Sequence, residues 1–396
     1  MPTSIAPPGP VPRPGTAKII VLGLLQILSW GGSFYLLGVL ADPIVADTGW
    51  SHQSVLAGAS IGLLVAGLLA PRCGQLIGRL GGRAVLSSHG LFLGAGLVLM
   101  ALAHSLPVYW LAWMILGVAM AAGLYDALFT SLGATYGLGA RPIIVGVTLI
   151  SGFCTTVIWP LLALMVHTLG WRLTCIVYAL AALLVLYPSY RYALDAPGPQ
   201  AARNSAARAE GQALRPAIYW SMTTLFALAA ALMTCLSLVL LTVLQGRGLS
   251  LASAIALGAI IGPAQVLCRV VDLVAKRQAP LTTALLSSGF TFIGLLLVDF
   301  TPAAVALGLV CYGAGNGLRA IVKSTLPLLV VKPADYAVVA GRMARPALIA
   351  QALAPVACGY VLGHWGADVM IHLMVALGLA AFALSLWLAR LIARPA

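Results

Sequence analysis

The sequence predicts an all-α membrane protein with twelve transmembrane helices, arranged as two six-helix halves related by pseudo-symmetry. Hydrophobic residues make up 61% of the 396 positions and charged residues only 8%. A soluble protein carries about 25% charged residues. The apolar runs extend to about 20 residues, the length of a membrane-crossing helix and about twice that of a barrel strand. Composition therefore excludes a water-soluble enzyme fold, and we expect neither enzymatic activity nor a cofactor.

The apolar segments divide into two groups of six. Residues 1–17 contain six prolines and are expected to form a disordered cytoplasmic tail. The segments are expected at 18–40, 51–77, 84–103, 108–135, 142–167, 171–189, 217–244, 251–275, 281–298, 303–329, 342–363 and 369–390. The longest polar stretch, 190–216, contains the single glutamate of the chain. We therefore predict an N-terminal bundle over 18–189, a cytoplasmic linker over 190–216 and a C-terminal bundle over 217–396.

The distribution of Lys and Arg predicts the orientation of the chain. When the N-terminus is placed in the cytoplasm, 17 of these residues fall on the cytoplasmic side and only Arg172 and Arg247 fall outside. Positive charge concentrates in the cytoplasmic loops of membrane proteins. We therefore expect a monomer in a bacterial inner membrane with both termini in the cytoplasm. Since orientation accounts for the net charge of +13, the expected partners are lipid and a small solute, and not nucleic acid.

The two halves repeat weakly. Trp171 begins the sixth segment, and Trp365 lies before the twelfth segment, 194 residues later. The same offset relates Gly123 in the fourth segment to Gly317 in the tenth. Repeated halves are typical of transporters that bind a solute at the interface between the repeats.

The loop between the second and third segments carries a recognisable motif. It contains Gly74, Arg79, Gly81 and Arg83 at the spacing of G-x-x-x-D-R-x-G-x-R, with Gly78 in place of the aspartate. This loop resembles the signature of the major facilitator superfamily. The resemblance implies a secondary transporter in which the loop latches the two halves on the cytoplasmic side. Because no phosphate-binding loop of the G-x-x-x-x-G-K-[ST] type is found, we expect an ion gradient, most simply of protons, to drive transport.

Local strings at 29–35, 47–50, 123–127 and 159–161 are similar to a narrower bacterial branch. This branch resembles monocarboxylate and oxalate–formate transporters, and also exporters assigned to trivalent arsenicals. Three functions are open, two of them from this resemblance. The first, which we favour, is export of a toxic small molecule such as an arsenical; the second is a monocarboxylate carrier that uses Arg269; the third is a transporter-like solute sensor.

A charge near the bilayer centre costs about 2.5–3.5 kcal/mol on insertion scales, so charged residues inside apolar segments need a role. Five such residues are found: Asp126, Arg269, Asp272, Arg319 and Lys323. Arg269 resembles the helix 8 arginine that binds the substrate carboxylate in the monocarboxylate family. Its planar guanidinium suits that task. The alternative is a pair with Asp272, three residues later on the same helix.

Asp126 is a candidate carrier of the coupling proton, because a desolvated carboxylate can cycle between protonated and charged forms. The alternative, which we favour, is an ion pair with Arg79 or Arg83 of the signature loop. Arg319 is expected either to serve the corresponding latch of the second half or to pair with Asp126. Lys323 is expected to extend to the inner membrane surface.

Uncharged polar residues near the middle of the segments are expected to line a central cavity: Ser29, Trp30, Tyr35, Ser151, Thr155, Thr234, Gln265, Tyr312, Asn316 and Gln351. For any one hydroxyl, the alternative is a hydrogen bond to its own helix backbone. Five cysteines also lie on five different segments: Cys154, Cys235, Cys268, Cys311 and Cys358. Thiolates would suit a soft metalloid, but we expect these residues to fill space, and we expect no metal site.

The charge distribution makes the topology testable. The Ser205→Cys variant places a thiol in the linker, and the Ser105→Cys variant places one between the third and fourth segments. In intact cells, an impermeant maleimide should label Ser105→Cys and leave Ser205→Cys unreacted. The opposite result would mean that the orientation is inverted.

Overall fold

The computed structural model describes residues 14–194, 214–275, 279–300 and 304–393, and these residues are helical with short turns and contain no strand. Eight of their helical stretches are long and apolar enough to cross a membrane. Two of the eight contain more than one crossing: Leu106–Ala193, with 88 residues, and Pro333–Ala393, with 61. A straight helix of the shorter length would extend about 90 Å, three times the thickness of the hydrocarbon core. Breaks within these two stretches divide them into three and two spans, so the eight stretches contain eleven spans. The shorter helices Thr16–Gly31 and Leu37–Thr48 supply the twelfth.

The first half contains spans 1 to 6, three of which are interrupted. Span 1 consists of Thr16–Gly31 and Leu37–Thr48, span 2 of His52–Leu80, span 3 of Gly82–Ala101, and span 4 of Leu106–Gly123 and Tyr125–Tyr136. Span 5 consists of Ala140–Ser151 and the part of Cys154–Ala181 before Gly170, and span 6 continues from Gly170 through Ala182–Leu186 to Tyr187–Ala193.

The second half contains spans 7 to 12. Span 7 is Pro216–Gly246, span 8 consists of Leu251–Gly258 and Ile261–Val274, span 9 is Pro280–Phe300, span 10 is Val305–Thr325, and spans 11 and 12 are the parts of Pro333–Ala393 before and after Gly366. An even number of crossings brings the first and last described residues to the same side of the bundle, which we call the termini side. Most of the expected tail and of the expected linker lies outside the described residues. The first helix begins at Thr16, inside the expected tail, and span 6 continues to Ala193, inside the expected linker.

Two glycines mark equivalent turns in the two halves. Gly170 has φ 76° and separates spans 5 and 6, whereas Gly366 has φ 79° and separates spans 11 and 12. Residues with a Cβ atom rarely adopt this conformation, so glycine is required at both turns. The sequence repeat aligns Trp171 with Trp365. The structure shows instead that the two turn glycines are the equivalent positions, because Trp171 follows its glycine and Trp365 precedes it.

The halves approach each other most closely where spans 2 and 11 pack on the termini side. A Cβ atom on Gly74 would collide with the Ala337 carbonyl oxygen, and one on Gly341 would lie 2.6 Å from the Ala70 carbonyl oxygen. Small residues let two membrane helices come together in this way. Gly74 of the signature loop therefore serves helix packing, whereas Gly81, with φ 81°, makes the turn into span 3.

Candidate functional site

A cavity of about 510 Å³ lies between the two halves. Its lining comes from spans 1, 2, 4 and 5 of the first half and from spans 7, 8, 10 and 11 of the second. Ligand pockets typically enclose about 300–1,000 Å³. The cavity is closed on the termini side. Gly74 contacts Gly341 there, and the ion pair of Arg141 with Asp272 joins spans 5 and 8.

Most of the uncharged residues predicted for the site line this cavity: Trp30, Tyr35, Ser151, Thr234, Gln265, Asn316 and Gln351. Ser29 does not, because it is fully buried and its hydroxyl donates to the Leu25 carbonyl at 2.8 Å. Tyr312 lines a second, much smaller cavity. The side chain of Thr155 lies outside the described part of the chain.

Five aromatic rings form one wall of the cavity, which we call the aromatic wall: Trp30, Phe34, Tyr35, Tyr125 and Phe129. The Trp30 ring lies 5.3 Å from Phe34, 5.7 Å from Tyr35 and 4.9 Å from Tyr125, and Tyr125 stacks on Phe129 at 4.8 Å between centroids. Phe34, Tyr125 and Phe129 were not predicted from the sequence as site residues. Of these three residues, Tyr125 could have been predicted, because it precedes the intramembrane Asp126.

A buried glutamine orients the aromatic wall. Gln26 is fully buried; its amide oxygen accepts a hydrogen bond from Trp30 Nε1 at 3.1 Å, and its amide nitrogen donates to the Gly123 carbonyl at 2.8 Å. The same nitrogen lies 2.9 Å from the Tyr190 hydroxyl. Gly123 ends the first helix of span 4, so its carbonyl would otherwise lack a partner. Gln26 therefore satisfies the helix break and holds the indole in place.

Arg269 lines the cavity from span 8, in the second half. Its Nε donates to the Gly317 carbonyl at 2.9 Å and its Nη1 donates to the Thr148 carbonyl at 2.8 Å. Part of the guanidinium fork is therefore bound to the backbones of spans 10 and 5, and the Nη2 group remains for a ligand. The alternative pair of Arg269 with Asp272 is wrong. Both carboxylate oxygens of Asp272 accept instead from Arg141 Nη2, at 2.9 and 3.0 Å.

Arg319 lies beside Arg269, on span 10. Its Nε donates to the Asn316 side-chain oxygen at 2.9 Å, and its Nη2 lies 2.8 Å from the Met233 sulfur. Arg319 is close enough to interact electrostatically with both Asp126 and Arg269. Within the described residues, neither arginine forms an ion pair with a carboxylate, and we call the two together the arginine pair.

Asp126 and Lys323 form an ion pair between the halves, with 2.6 Å between the Asp126 oxygen and the Lys323 Nζ. The side chains are 29% and 19% exposed, respectively, and both line the cavity. The expected partners, Arg79 and Arg83, do not line the cavity; Arg79 is exposed and Arg83 is half-buried on the termini side. The expected extension of Lys323 to the membrane surface is therefore wrong. Because this pair neutralises itself, the arginine pair leaves the cavity positively charged.

The match to a family model decides the identity of the fold. Residues 22–344 match the model of the Major Facilitator Superfamily. The chain belongs to the Major Facilitator Superfamily. The comparison with curated proteins found no match.

Solved structures of other transporters share the facilitator fold. The human organic anion transporter TETRAN superposes with a TM-score of 0.71 at 16% identity, covering 94% of this chain and 100% of that chain. The proton:xylose symporter XylE superposes with a TM-score of 0.74 at 13% identity, covering 95% and 96%. A bacterial homologue of the iron transporter ferroportin, in an outward-facing state, gives a TM-score of 0.74 at 12% identity, covering 94% and 99%. At these identities the similarity shows the fold alone.

The contribution of the Arg141–Asp272 ion pair to the stability of the closed termini side can be tested. Both side chains are at most 10% exposed, so Asp272→Asn leaves a buried guanidinium without its anion. Such a loss costs about 3–5 kcal/mol, whereas replacing both partners by apolar residues is often neutral. We expect Asp272→Asn to lower the apparent melting temperature in detergent, and the double variant Arg141→Met with Asp272→Leu to recover most of the loss.

The control is Asp47→Asn, which removes a half-exposed carboxylate that pairs with Arg172. Exposed pairs contribute about 0–1 kcal/mol, so this variant should melt close to the unmodified protein. If the double variant is as unstable as Asp272→Asn, the ion pair is not the source of the loss.

Proposed function

We propose that this protein is a secondary active transporter of a small organic anion, which crosses the membrane as the two halves alternately open to each side. One observation carries the proposal: the arginine pair lines the central cavity without a carboxylate partner in the described chain. A charge held away from water is costly unless it is paired. A bound anion supplies the missing partner, and the planar guanidinium groups suit a carboxylate.

The monocarboxylate alternative from the sequence is therefore the one that the geometry favours, in a changed form. Arg269 would bind the anion through its Nη2 group, which is not bound to the backbone. Arg319 would be a second anion-binding residue. One structural neighbour, TETRAN, is described as an organic anion transporter, which agrees with this proposal. We place the termini side in the cytoplasm, on the charge distribution, so the cavity closed there would face outward.

Export of a trivalent arsenical has less support. Three soft ligands are the natural site for such a metalloid. The described residues contain no group of three His, Cys, Asp or Glu that could hold a metal ion, and only Cys73 and Cys154 among the cysteines line the cavity. Arsenical export and solute sensing stay predictions from sequence.

We further propose that a proton is carried with the anion, on Asp126. A proton on this carboxylate would break its ion pair and leave Lys323 as a third cation in the cavity. The added charge would favour binding of the anion, so proton and substrate would bind together. In a bacterial inner membrane this coupling drives uptake, which differs from the export that the sequence resemblance favours.

Anion transport can be measured in proteoliposomes. We expect saturable uptake of labelled L-lactate, oxalate or benzoate above protein-free liposomes, and none of glycerol or ethanolamine. A hydrogen bond to a charged group is worth about 1.5–3 kcal/mol, so Arg319→Gln and Arg269→Gln should each weaken uptake about ten-fold or more. The control, Arg345→Gln, changes an exposed arginine outside the cavity and should leave uptake unchanged. Equal uptake by all three variants would remove the arginine pair from the site.

The proton proposal is tested by the pH dependence of uptake. The unmodified protein should take up L-lactate faster as the external pH falls from neutral to mildly acidic, because L-lactate stays ionised while the inward proton gradient grows. Asp126→Asn holds the group neutral, so its uptake should not vary with pH. Asp47→Asn, at a carboxylate outside the cavity, should keep the pH dependence. A pH-dependent Asp126→Asn variant would place the proton elsewhere.

A further inference from the structure

This inference rests on the proposed function and narrows its substrate class. We propose that the cavity accepts arylcarboxylates, in which one carboxylate is joined to a planar ring, with the carboxylate on the arginine pair and the ring on the aromatic wall. The two surfaces belong to opposite halves: the aromatic wall comes from spans 1 and 4, and the arginine pair from spans 8 and 10.

The two surfaces line the same cavity. They approach each other at span 5, where Arg269 Nη1 donates to the Thr148 carbonyl and the Tyr125 hydroxyl lies 2.5 Å from the Ser151 hydroxyl. A ligand that reaches both surfaces must therefore carry an anionic end and an apolar end within a small molecule. An inorganic anion would leave the aromatic wall unused, and a neutral ring would leave the arginine charges unpaired.

Two of the three polar side-chain groups of the wall are already bound within the protein, and the Tyr35 hydroxyl is the third. Trp30 Nε1 donates to Gln26, and the Tyr125 hydroxyl lies 2.5 Å from the Ser151 hydroxyl. The neighbouring Trp159 Nε1 donates to the Tyr35 carbonyl at 3.3 Å. With these groups occupied, the wall offers a ligand mainly ring faces and edges. Such a surface favours a flat aromatic body, which can stack or meet the rings edge to face.

The wall is also held rigidly, which matters for discrimination between ring shapes. Trp30 contacts three other rings, and its indole nitrogen is tied through Gln26 to the backbone of span 4. A surface that is already ordered loses little conformational entropy when a ligand binds. A planar ring should therefore bind better than a puckered ring of the same size and charge.

The test is equilibrium binding to the purified full-length protein in detergent, measured by calorimetry. Four probes separate the two surfaces: benzoate, cyclohexanecarboxylate, acetate and benzyl alcohol. We expect benzoate to bind about ten-fold or more tightly than acetate, cyclohexanecarboxylate to lie between them, and benzyl alcohol not to bind measurably. D-Xylose is included because sugars also pack on aromatic rings, and it should not bind.

Three variants assign each part of the site. Trp30→Leu should bring benzoate affinity down to that for acetate, whereas Trp30→Phe should keep most of the preference for benzoate. Arg319→Gln should weaken both acids alike. The matched control is Trp220→Leu, since Trp220 is 62% exposed and lies outside the cavity, and it should change neither affinity.

The outcomes distinguish this inference from the function on which it rests. Equal affinities for benzoate and acetate, or a Trp30→Leu variant that still prefers benzoate, would overturn the aromatic specificity and leave anion transport standing. Absence of any anion binding, together with absence of anion uptake, would overturn both. Binding of benzyl alcohol or D-xylose as tightly as benzoate would mean that the arginine pair does not select the ligand.

Discussion

In hydrocarbon, a backbone carbonyl or a charged side chain without a partner costs several kcal/mol, because no water is there to replace it. At every interruption of a span, the exposed backbone N–H and C=O groups must therefore find a hydrogen-bond partner in a side chain or in a water-filled cavity. Two interruptions show how. The Gly123 carbonyl, at the break in span 4, accepts from Gln26, and the Thr148 carbonyl, near the break in span 5, accepts from Arg269. Only the first of these carbonyls depends on its side-chain partner, because the Thr148 carbonyl also accepts from the Gly152 amide at 3.0 Å. Both side chains shape the candidate site, since Gln26 holds Trp30 and Arg269 is part of the arginine pair.

The same constraint governs how the termini side closes and opens. The contact between Gly74 and Gly341 is made of backbone and small residues, so separating these helices leaves no charge unpaired. The ion pair of Arg141 with Asp272 is different, because its separation needs water or a new partner. A buried ion pair gains little net stability, since the desolvation of both charges offsets their attraction. The Arg141–Asp272 ion pair therefore selects one closed arrangement of the helices, and it does not make that arrangement too stable to open again.

The spans were predictable because hydropathy is a local property of the sequence. The eleventh span was the least well placed: it was expected at 342–363, but its helix begins at Pro333, where Asp335 and the arginines at its start lower the local hydropathy. A spacing of three residues within one helix indicated a side-chain contact correctly in one case and incorrectly in another. Asn316 and Arg319, three residues apart, do contact each other, whereas Arg269 and Asp272, also three apart, do not.

The partners across the halves could not be predicted, because they depend on how two separate bundles dock. Asp126 pairs with Lys323 of span 10, and Asp272 pairs with Arg141 of span 5, so each anion finds its cation on the other half. The aromatic wall was missed for a different reason. Phe34 and Phe129 are apolar rings inside apolar spans, and in a sequence these are indistinguishable from rings that face lipid.

Gly78, which stands in place of the aspartate of the signature loop, lies where the two halves make apolar contact. A Cβ atom on Gly78 would lie 3.8 Å from both the Ala337 and the Val338 side chains of span 11. A carboxylate at this position would face apolar methyl groups and would have to find its cation elsewhere. The two acidic residues that reach a cation of the opposite half lie on other spans, with Asp126 beside the cavity and Asp272 on the termini side. Electrostatic contact between the halves is thus made outside the loop, and only at Asp126 does it lie within reach of the ligand.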